Sequence, residues 1–214
     1  MNHLAHLFFA QPTVQSRVGN LLGDFARGVK ADELPEAIRR GLENHWAVDS
    51  YTDQHPEVRA SKALFSSRRR RFAGIALDVL YDHFLIIHWA DFADRRRNAF
   101  VGEVYTDLEQ GQELMPPQMA RVVERMIRHD WFTAYGDLQQ IGFALDRVAE
   151  RIRFLNNFDG AVEEIEAHYG ELEAHFLRFF PDLITHIQDR AIETPMNGPS
   201  GESWPWIRYN PGQR

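Results

Sequence analysis

Asp78, Asp82 and His83 lie inside a largely apolar stretch, residues 72–92, which reads FAGIALDVLYDHFLIIHWADF. The stretch is apolar around nearly its whole circumference, which predicts a helix buried in the middle of the fold. Asp78 and Asp82 are four residues apart and share one helical face, while His83 projects about 100° further round. Because an unpaired buried carboxylate is costly, a cation should face the two aspartates, and either a metal ion or an arginine would serve.

His45 and Asp49 form a second pair at the same spacing, with Asp53 one turn beyond them. Imidazole nitrogen and carboxylate oxygen on one helical face are a usable half-site for Mn²⁺, Fe²⁺, Mg²⁺ or Zn²⁺. Taken alone, the pair is more typical of a histidine and an aspartate that hydrogen-bond to each other at the surface.

Asp24 lies in a third segment, GNLLGDFARG, in which glycines at positions 19, 23 and 28 allow close approach of backbone or ligand. The local alternative is a helix that packs tightly through its glycines with Asp24 on the solvent side. Considered together, three helices each bring carboxylate or imidazole groups within apolar sequence. Helical bundles build inward-facing metal sites in this way, so we predict a metal site at their junction.

Further histidines extend this prediction. His6, near the start of the chain, and His55, just before Pro56, are additional candidate ligands or neighbours of the ligands; His3 is a weaker candidate of the same kind. The only literal His-Asp dipeptide is at residues 129–130. Its aspartate precedes WFTAY and is predicted to cap a helix rather than to bind metal.

These residues must be positioned by helices, because helical periodicity dominates and no segment alternates apolar and polar residues long enough to favour a sheet. Prolines at positions 35, 56, 116 and 117 precede helix-like runs, as helix start signals do. The predicted helices span residues 13–28, 35–52, 56–66, 71–90, 97–112, 117–129, 137–155, 160–178 and 182–191. The predicted fold class is therefore all-α, with a single compact multi-helix domain.

Residues 1–192 are predicted to form this domain, and residues 193–214 an irregular tail rich in proline and glycine. The tail carries four large apolar side chains, Trp204, Trp206, Ile207 and Tyr209. Such side chains usually find cover, so the tail is predicted to pack on the body.

Composition narrows the class of protein. With 214 residues, 44% hydrophobic and 26% charged, the chain is typical of a globular protein with one well-filled core. It contains no cysteine, which excludes disulfides and thiol nucleophiles. No stretch approaches the roughly 20 apolar residues of a membrane span, and the start of the chain does not read as a signal peptide. We therefore expect a cytoplasmic protein that does not enter the membrane.

Several motifs occur in order between residues 1 and 85: MNHLAHL, GNLLGDF, the His45-x-x-x-Asp49 pair continuing into YTD, HPEVR, and LDVLYDHFL. As an ordered set they closely resemble the acyl carrier protein phosphodiesterases. The resemblance implies a distorted HD-domain-like fold and dependence on a divalent cation, Mn²⁺ first, with Mg²⁺ and Fe²⁺ as alternatives. The implied reaction is hydrolysis of the phosphodiester that links 4′-phosphopantetheine to the serine of holo acyl carrier protein.

The resemblance also implies roles for individual residues. The implied metal ligands are Asp24, His45, Asp49 and Asp82. The implied catalytic residues are Asp53, Asp78 and His83, and His6 and His55 are further ligands or their neighbours. One departure concerns residues 46–47, Trp-Ala, where the family is expected to carry basic residues. Contacts to the substrate phosphate at that point are therefore in question.

Two arginine runs flank the buried helix in a chain whose net charge is −7. They comprise Arg68, Arg69, Arg70 and Arg71 before the helix, and Arg95, Arg96 and Arg97 after it. Such a run is often only a solvated face. Because acyl carrier proteins are small and strongly acidic, the runs are also predicted to form their docking surface. The net acidity makes nucleic acid an unlikely partner.

Two other functions remain open at this point. One is a related HD-like hydrolase that acts on a small nucleotide or another phosphoester. The other is a non-catalytic helical adaptor in which arginine neutralises the buried carboxylates.

Overall fold

The computed structural model describes residues 1–152, 156–193 and 206–208. In these ranges the chain forms α-helices and short 3₁₀ turns with no strand, and one isolated β-bridge joins Ala93 to Ile207. The helices are α1 His3–Phe8, α2 Val14–Leu22, α3 Glu36–Gln54, α4 Pro56–Leu64, α5 Ala73–Ile87, α6 Trp89–Phe92, α7 Arg97–Gln110, α8 Pro117–Arg128, α9 Trp131–Ala134, α10 Leu138–Arg151, α11 Ala161–Ala167 and α12 Tyr169–Arg190. The predicted all-α, single-domain fold is confirmed, whereas its likeness to HD domains stays a prediction.

The last two helices break at a different place from the one predicted. The break predicted between residues 178 and 182 is absent, since α12 runs through Pro181, and the chain breaks instead at His168, between α11 and α12. Proline normally ends a helix because it lacks an N–H group. Here Pro181 is buried, and Phe180 and Leu183 beside it are fully buried, so tertiary packing holds the helix together across it.

Helix α5 lies at the centre of the fold, as its apolar circumference predicts. Eleven of its residues are buried, and Tyr81 and Phe84 pack their rings at a tilt against Phe176 of α12. An ionisable group on this helix is therefore held in a fixed place, whichever side it faces.

Helices α2 and α3 approach each other closely through two glycines. A Cβ added to Gly19 would lie 2.3 Å from the carbonyl oxygen of Ile38, and one added to Gly41 would lie 2.8 Å from the carbonyl oxygen of Ser16. No larger residue fits at either position without moving backbone. This contact brings the end of α2 against the middle of α3, where His45 lies.

The short helix α1 is anchored by Asp82 of α5. The backbone N–H groups of Leu4 and Ala5 donate to Asp82 Oδ2 and Oδ1, each at 2.9 Å. Asp82 is fully buried, and burial raises its pKa to about 7, although the two N–H groups favour the charged form. A six-residue helix has little stability of its own. Its orientation, and that of the histidines it carries, therefore depends on this contact.

The described part of the C-terminal tail lies on the body of the protein. Trp206 is buried and its Nε1 donates to the carbonyl oxygen of Phe8 at 3.0 Å, while the backbone N–H of Arg208 donates to Phe92. The positions predicted for Trp204 and Tyr209 lie outside the described residues. The division of the chain at residue 193 stays a prediction.

None of the helices in the described ranges is both long enough and apolar enough to cross a membrane.

The ionisation of Asp82 should appear as pH-dependent stability. A carboxyl group whose pKa is higher in the folded chain destabilises the fold only in its charged form. Below its unfolded pKa, about 4, no stability is lost, and the free energy of unfolding then falls as pH rises through the folded value. Asp82→Asn removes this loss of stability. We expect the variant and the wild type to have similar free energies of unfolding near pH 4 and the variant to be more stable near pH 8. The gap can reach about 4 kcal/mol, at about 1.4 kcal/mol per pKa unit.

Urea unfolding of both proteins across this pH range, in the presence of a chelator, measures the gap. A gap that stays constant with pH would show that the Asp82 carboxylate is not penalised by burial.

Candidate metal centre

Helices α1 and α3 bring His6, His45 and Asp49 together in what we call the His–His–Asp cluster. One ligand atom from each lies within 4.8 Å of the others. His6 Nε2 is 3.3 Å from Asp49 Oδ1 and His45 Nε2 is 3.1 Å from Asp49 Oδ2. The two imidazole rings stack with their centroids 3.7 Å apart. Both histidines are buried, whereas the Asp49 side chain is 40% exposed, so the imidazoles lie on the inner side of the cluster and the carboxylate lies on its solvent side.

The hydrogen bonding of His45 directs one ring nitrogen into this cluster, where a neutral ring can bind a cation. Its Nδ1 lies 2.7 Å from the carbonyl oxygen of Asn20, which can only accept, so Nδ1 carries a proton. A neutral imidazole has one N–H, and its Nε2 therefore offers a lone pair to Asp49 Oδ2. Two lone pairs at that separation repel each other unless a proton or a metal ion lies between them. A carbonyl that orients a histidine in this way is also the usual neighbour of a metal-bound imidazole.

His6 is suited to bind metal as well. Burial, followed by the nearby His45, lowers the pKa of His6 to about 4, so the ring is neutral near pH 7, as a metal ligand must be. Among the described residues, His6 Nδ1 has no hydrogen-bond partner, while Nε2 faces Asp49 and the carbonyl oxygen of Met1 at 3.2 Å. The donor set of two imidazoles and a carboxylate thus fits a divalent ion.

Gly23 forms one wall of the cluster. A Cβ at this position would lie 2.0 Å from His45 Cδ2, so only glycine lets the chain pass over the imidazole ring. The glycine begins the 3₁₀ turn Gly23–Phe25, which presents Asp24 beside the cluster.

Asp24 pairs with His3 at the rim. His3 Nδ1 is 3.1 Å from Asp24 Oδ2, and Trp131 stacks on the imidazole of His3. Burial alone would raise the pKa of Asp24, but His3 and the other two histidines nearby hold it at about 2. For His3 the balance is the reverse: burial lowers its pKa, but Asp24 outweighs burial and leaves the pKa raised. Asp24 is therefore charged at neutral pH, and His3 is favoured to hold a proton.

Asp78 is linked to the cluster by the α-amino group of Met1, which contacts both Asp78 and Asp49. The α-amino group of Met1 is 3.0 Å from Asp78 Oδ1 and 3.0 Å from Asp49 Oδ1. Burial lowers the pKa of the amine, but the two carboxylates outweigh it and raise the pKa to about 10. For Asp49, burial is outweighed by His45, His6 and this amine, which hold its pKa well below the usual range.

Other candidate residues lie outside the His–His–Asp cluster. Asp82 binds the start of α1, as described above. Asp53 is strongly exposed and accepts from Lys62 Nζ at 2.8 Å. His83 has its Nδ1 2.8 Å from the carbonyl oxygen of Tyr135 and its Nε2 3.0 Å from the hydroxyl of Tyr169. The catalytic and ligand roles that the resemblance implies for these three residues stay predictions.

His55 caps helix α4: its Nδ1 accepts from the backbone N–H of Glu57 at 3.3 Å, and its Nε2 faces Asp182 at 3.4 Å. In the His-Asp dipeptide, His129 ends α8 and Asp130 precedes α9 with a positive φ of 42°. The Asp130 side chain accepts from a tyrosine hydroxyl and does not cap the helix. Its position before a helix agrees with the sequence prediction, although the capping contact is absent.

The arginines of the two runs differ in exposure. Arg69 is largely covered and donates to Glu164 at 3.0 Å and to the carbonyl oxygen of Asp159 at 2.6 Å. Arg95 pairs with Glu103. Arg95 and Arg97 are half-buried, and the exposed members of the runs are Arg68, Arg70, Arg71 and Arg96. A docking surface made of these side chains stays a prediction.

Two residues make contacts at the cluster that the sequence does not predict: His3 pairs with Asp24, and the carbonyl of Asn20 contacts His45. The sequence indicates His3 only weakly as a candidate and does not indicate Asn20. The spacing of His3 and His6, one turn apart in an apolar segment, would have indicated a shared helical face. Nothing in the sequence indicates that the backbone carbonyl of Asn20 orients His45.

A sequence profile of the family described as acyl carrier protein phosphodiesterase matches residues 1–183. The acyl carrier protein phosphodiesterase of Serratia proteamaculans (strain 568) is 35% identical over 193 residues, which are 90% of this chain and 100% of the relative. Proteins of the same name from Salmonella agona (strain SL483) and Salmonella newport (strain SL254) are each 34% identical with the same coverage. No solved structure shows significant similarity to this chain.

The profile covers most of the chain, and the relatives are matched over their whole length. The matched range includes every residue of the His–His–Asp cluster and of its rim. The resemblance inferred from the sequence motifs is thereby confirmed: this chain belongs to the acyl carrier protein phosphodiesterase family.

Proposed function

We propose that this chain hydrolyses the phosphodiester between 4′-phosphopantetheine and the serine of holo acyl carrier protein, using a divalent cation held in the His–His–Asp cluster. The family assignment supports the substrate. The observation that carries the metal half of the proposal is the convergence of two buried imidazoles and a carboxylate, with Nε2 of each histidine 3.1–3.3 Å from an Asp49 oxygen.

The charge at the opening also supports a cation. Asp24, Asp49 and Asp78 all have side chains that are between 37% and 46% exposed. The Met1 amine and His3 offset part of this negative charge, and a divalent cation would offset the rest, which would otherwise repel a phosphodiester. When bound, a divalent cation neutralises the phosphodiester and lowers the pKa of a water molecule near it. Mixed imidazole and carboxylate donors favour Mn²⁺ or Fe²⁺ over Mg²⁺, and we propose Mn²⁺.

The chain's own residues have separate tasks in this proposal. His6, His45 and Asp49 hold the cation, and the carbonyl of Asn20 keeps the His45 lone pair directed at it. His3 lies at the rim with a raised pKa, so it can give its proton to the departing serine oxygen, as a general acid does. Asp24 keeps the His3 ring charged and oriented.

The proposal predicts that Asp49→Asn and His45→Ala lose both metal binding and hydrolysis. Each variant removes one of three donors, and we expect Mn²⁺ affinity to fall by at least about 100-fold, with turnover falling in parallel. Mass spectrometry of holo acyl carrier protein incubated with enzyme and Mn²⁺ follows the loss of the phosphopantetheine arm, and calorimetry measures Mn²⁺ binding without substrate.

Asp130→Asn is the matched control, because it changes an exposed aspartate in the literal His-Asp dipeptide. It should keep wild-type affinity and turnover. If wild-type enzyme with Mn²⁺ leaves holo acyl carrier protein intact, the substrate proposal is wrong. If it also binds no divalent ion, the metal site is wrong too, and a non-catalytic adaptor becomes the better interpretation.

The docking role of the arginines predicts a dependence on salt. Replacing Arg68, Arg71 and Arg96 by alanine should lower kcat/KM and flatten its decrease with ionic strength, because exposed charges act mainly on association. Screening becomes strong beyond about 8–10 Å near physiological salt. The value of kcat at saturating carrier protein should change little, since the metal centre is untouched.

Stopped-time assays over a range of salt concentrations test this prediction. Replacing Arg121, Arg125 and Arg128 of α8 removes the same charge from exposed positions outside the two runs and serves as the control. Equal salt slopes for the two triple variants would reject the docking surface and leave the hydrolase proposal intact.

A further inference from the structure

The C-terminal end of the described body supplies a buried carboxylate behind the His–His–Asp cluster. Glu193 is only 7% exposed, and it lies beyond the residues that the family profile matches. Its Oε1 accepts from Asn20 Nδ2 at 2.6 Å, and its Oε2 accepts from the hydroxyl of Ser16. Burial raises the pKa of this carboxyl group to about 7, even though both hydrogen bonds favour its charged form. Such a costly group is expected to have a specific role.

Asn20, the partner of Glu193, is fully buried and connects three parts of the fold. Its Nδ2 also donates to the carbonyl oxygen of Ser16 at 3.0 Å, and its Oδ1 accepts from Asn44 Nδ2 at 3.0 Å. Its backbone carbonyl lies in the last turn of α2, where helix carbonyls lack an intrahelical donor, and it accepts from His45 Nδ1. The side chain of Asn20 therefore fixes the position of the carbonyl that orients His45.

We propose that Glu193 is a positioning residue for the metal centre, acting through Asn20 on His45. This inference rests on the metal site of the proposed function but not on its substrate. The hydrogen bond from Asn20 Nδ2 to Glu193 is the shortest that the Asn20 side chain makes among the described residues, and it joins α2 to the C-terminal segment. Its loss would leave the Asn20 amide less firmly held, and the carbonyl would direct the His45 lone pair less consistently toward Asp49.

The surroundings of Glu193 allow an effect on metal binding to be distinguished from a general loss of stability. Glu193 lines an open cavity of about 440 Å³, together with Thr13, Glu36 and Arg40. Removal of its side chain enlarges a space that water already reaches, so the cost in packing is small and the protein should still fold. Trp206, also near the C-terminus, is buried and donates to the carbonyl oxygen of Phe8 without contacting Asn20 through any described hydrogen bond.

The test compares Glu193→Ala, Glu193→Gln and Trp206→Phe with the wild type. Calorimetry with Mn²⁺ alone should show about tenfold weaker binding for Glu193→Ala, near the lower end of the effect of losing an outer partner of a metal-bound histidine. Glu193→Gln should restore most of the affinity, because its amide oxygen still accepts from Asn20. Trp206→Phe should bind Mn²⁺ like the wild type even if its thermal stability falls.

Nitrogen-15 NMR of the metal-free proteins supplies a second readout. The Nδ1–H signal of His45 should shift or broaden in Glu193→Ala and remain unchanged in Trp206→Phe. Wild-type affinity and an unchanged His45 signal in Glu193→Ala would overturn the proposal, as would an equal loss of affinity in Trp206→Phe. A wild type that binds no Mn²⁺ would overturn it as well. Failure to cleave holo acyl carrier protein, with the affinity differences intact, would count only against the proposed substrate.

Discussion

The imidazole of His45 is held between a backbone carbonyl on one side and a carboxylate on the other, and the centre is organised around this contact. The Asn20 carbonyl accepts the only proton that a neutral ring carries, so the opposite nitrogen must face Asp49 with a lone pair. A cation between them turns a repulsive arrangement into a binding site. The same ring stacks on His6, whose neutral form adds a further nitrogen donor.

The surrounding fold can be understood as the means of keeping that contact. The glycines at positions 19 and 41 let α2 approach α3 closely enough for a carbonyl to reach His45, and Gly23 lets the chain pass over the ring. Asp82 keeps α1 in place, so that His3 and His6 face the cluster. Each of these features lowers the stability of the fold, either through backbone entropy at glycine or through burial of a carboxylate. All of them lie close to the His–His–Asp cluster.

Much of the fold and part of the site could be predicted from the sequence. The i, i+4 spacing of His45 and Asp49 indicates a shared face because a helix has 3.6 residues per turn, and the glycine-rich segment around Asp24 indicates a close approach. The directions of Asp82 and His83 could not be predicted, since a helix that is apolar all round gives no sign of which neighbour each residue meets. Helix α1 could not be predicted, because its six residues are too few to show a periodicity.

The most direct measurement of the metal centre is anomalous scattering from crystals of the protein grown with Mn²⁺. A peak bonded to His45 Nε2 and to an Asp49 oxygen, with a ring nitrogen of His6 as a further ligand and the Asn20 carbonyl still on His45 Nδ1, is the expected result. Absence of an ion there, or an ion bound by other residues while His45 hydrogen-bonds directly to Asp49, would contradict it.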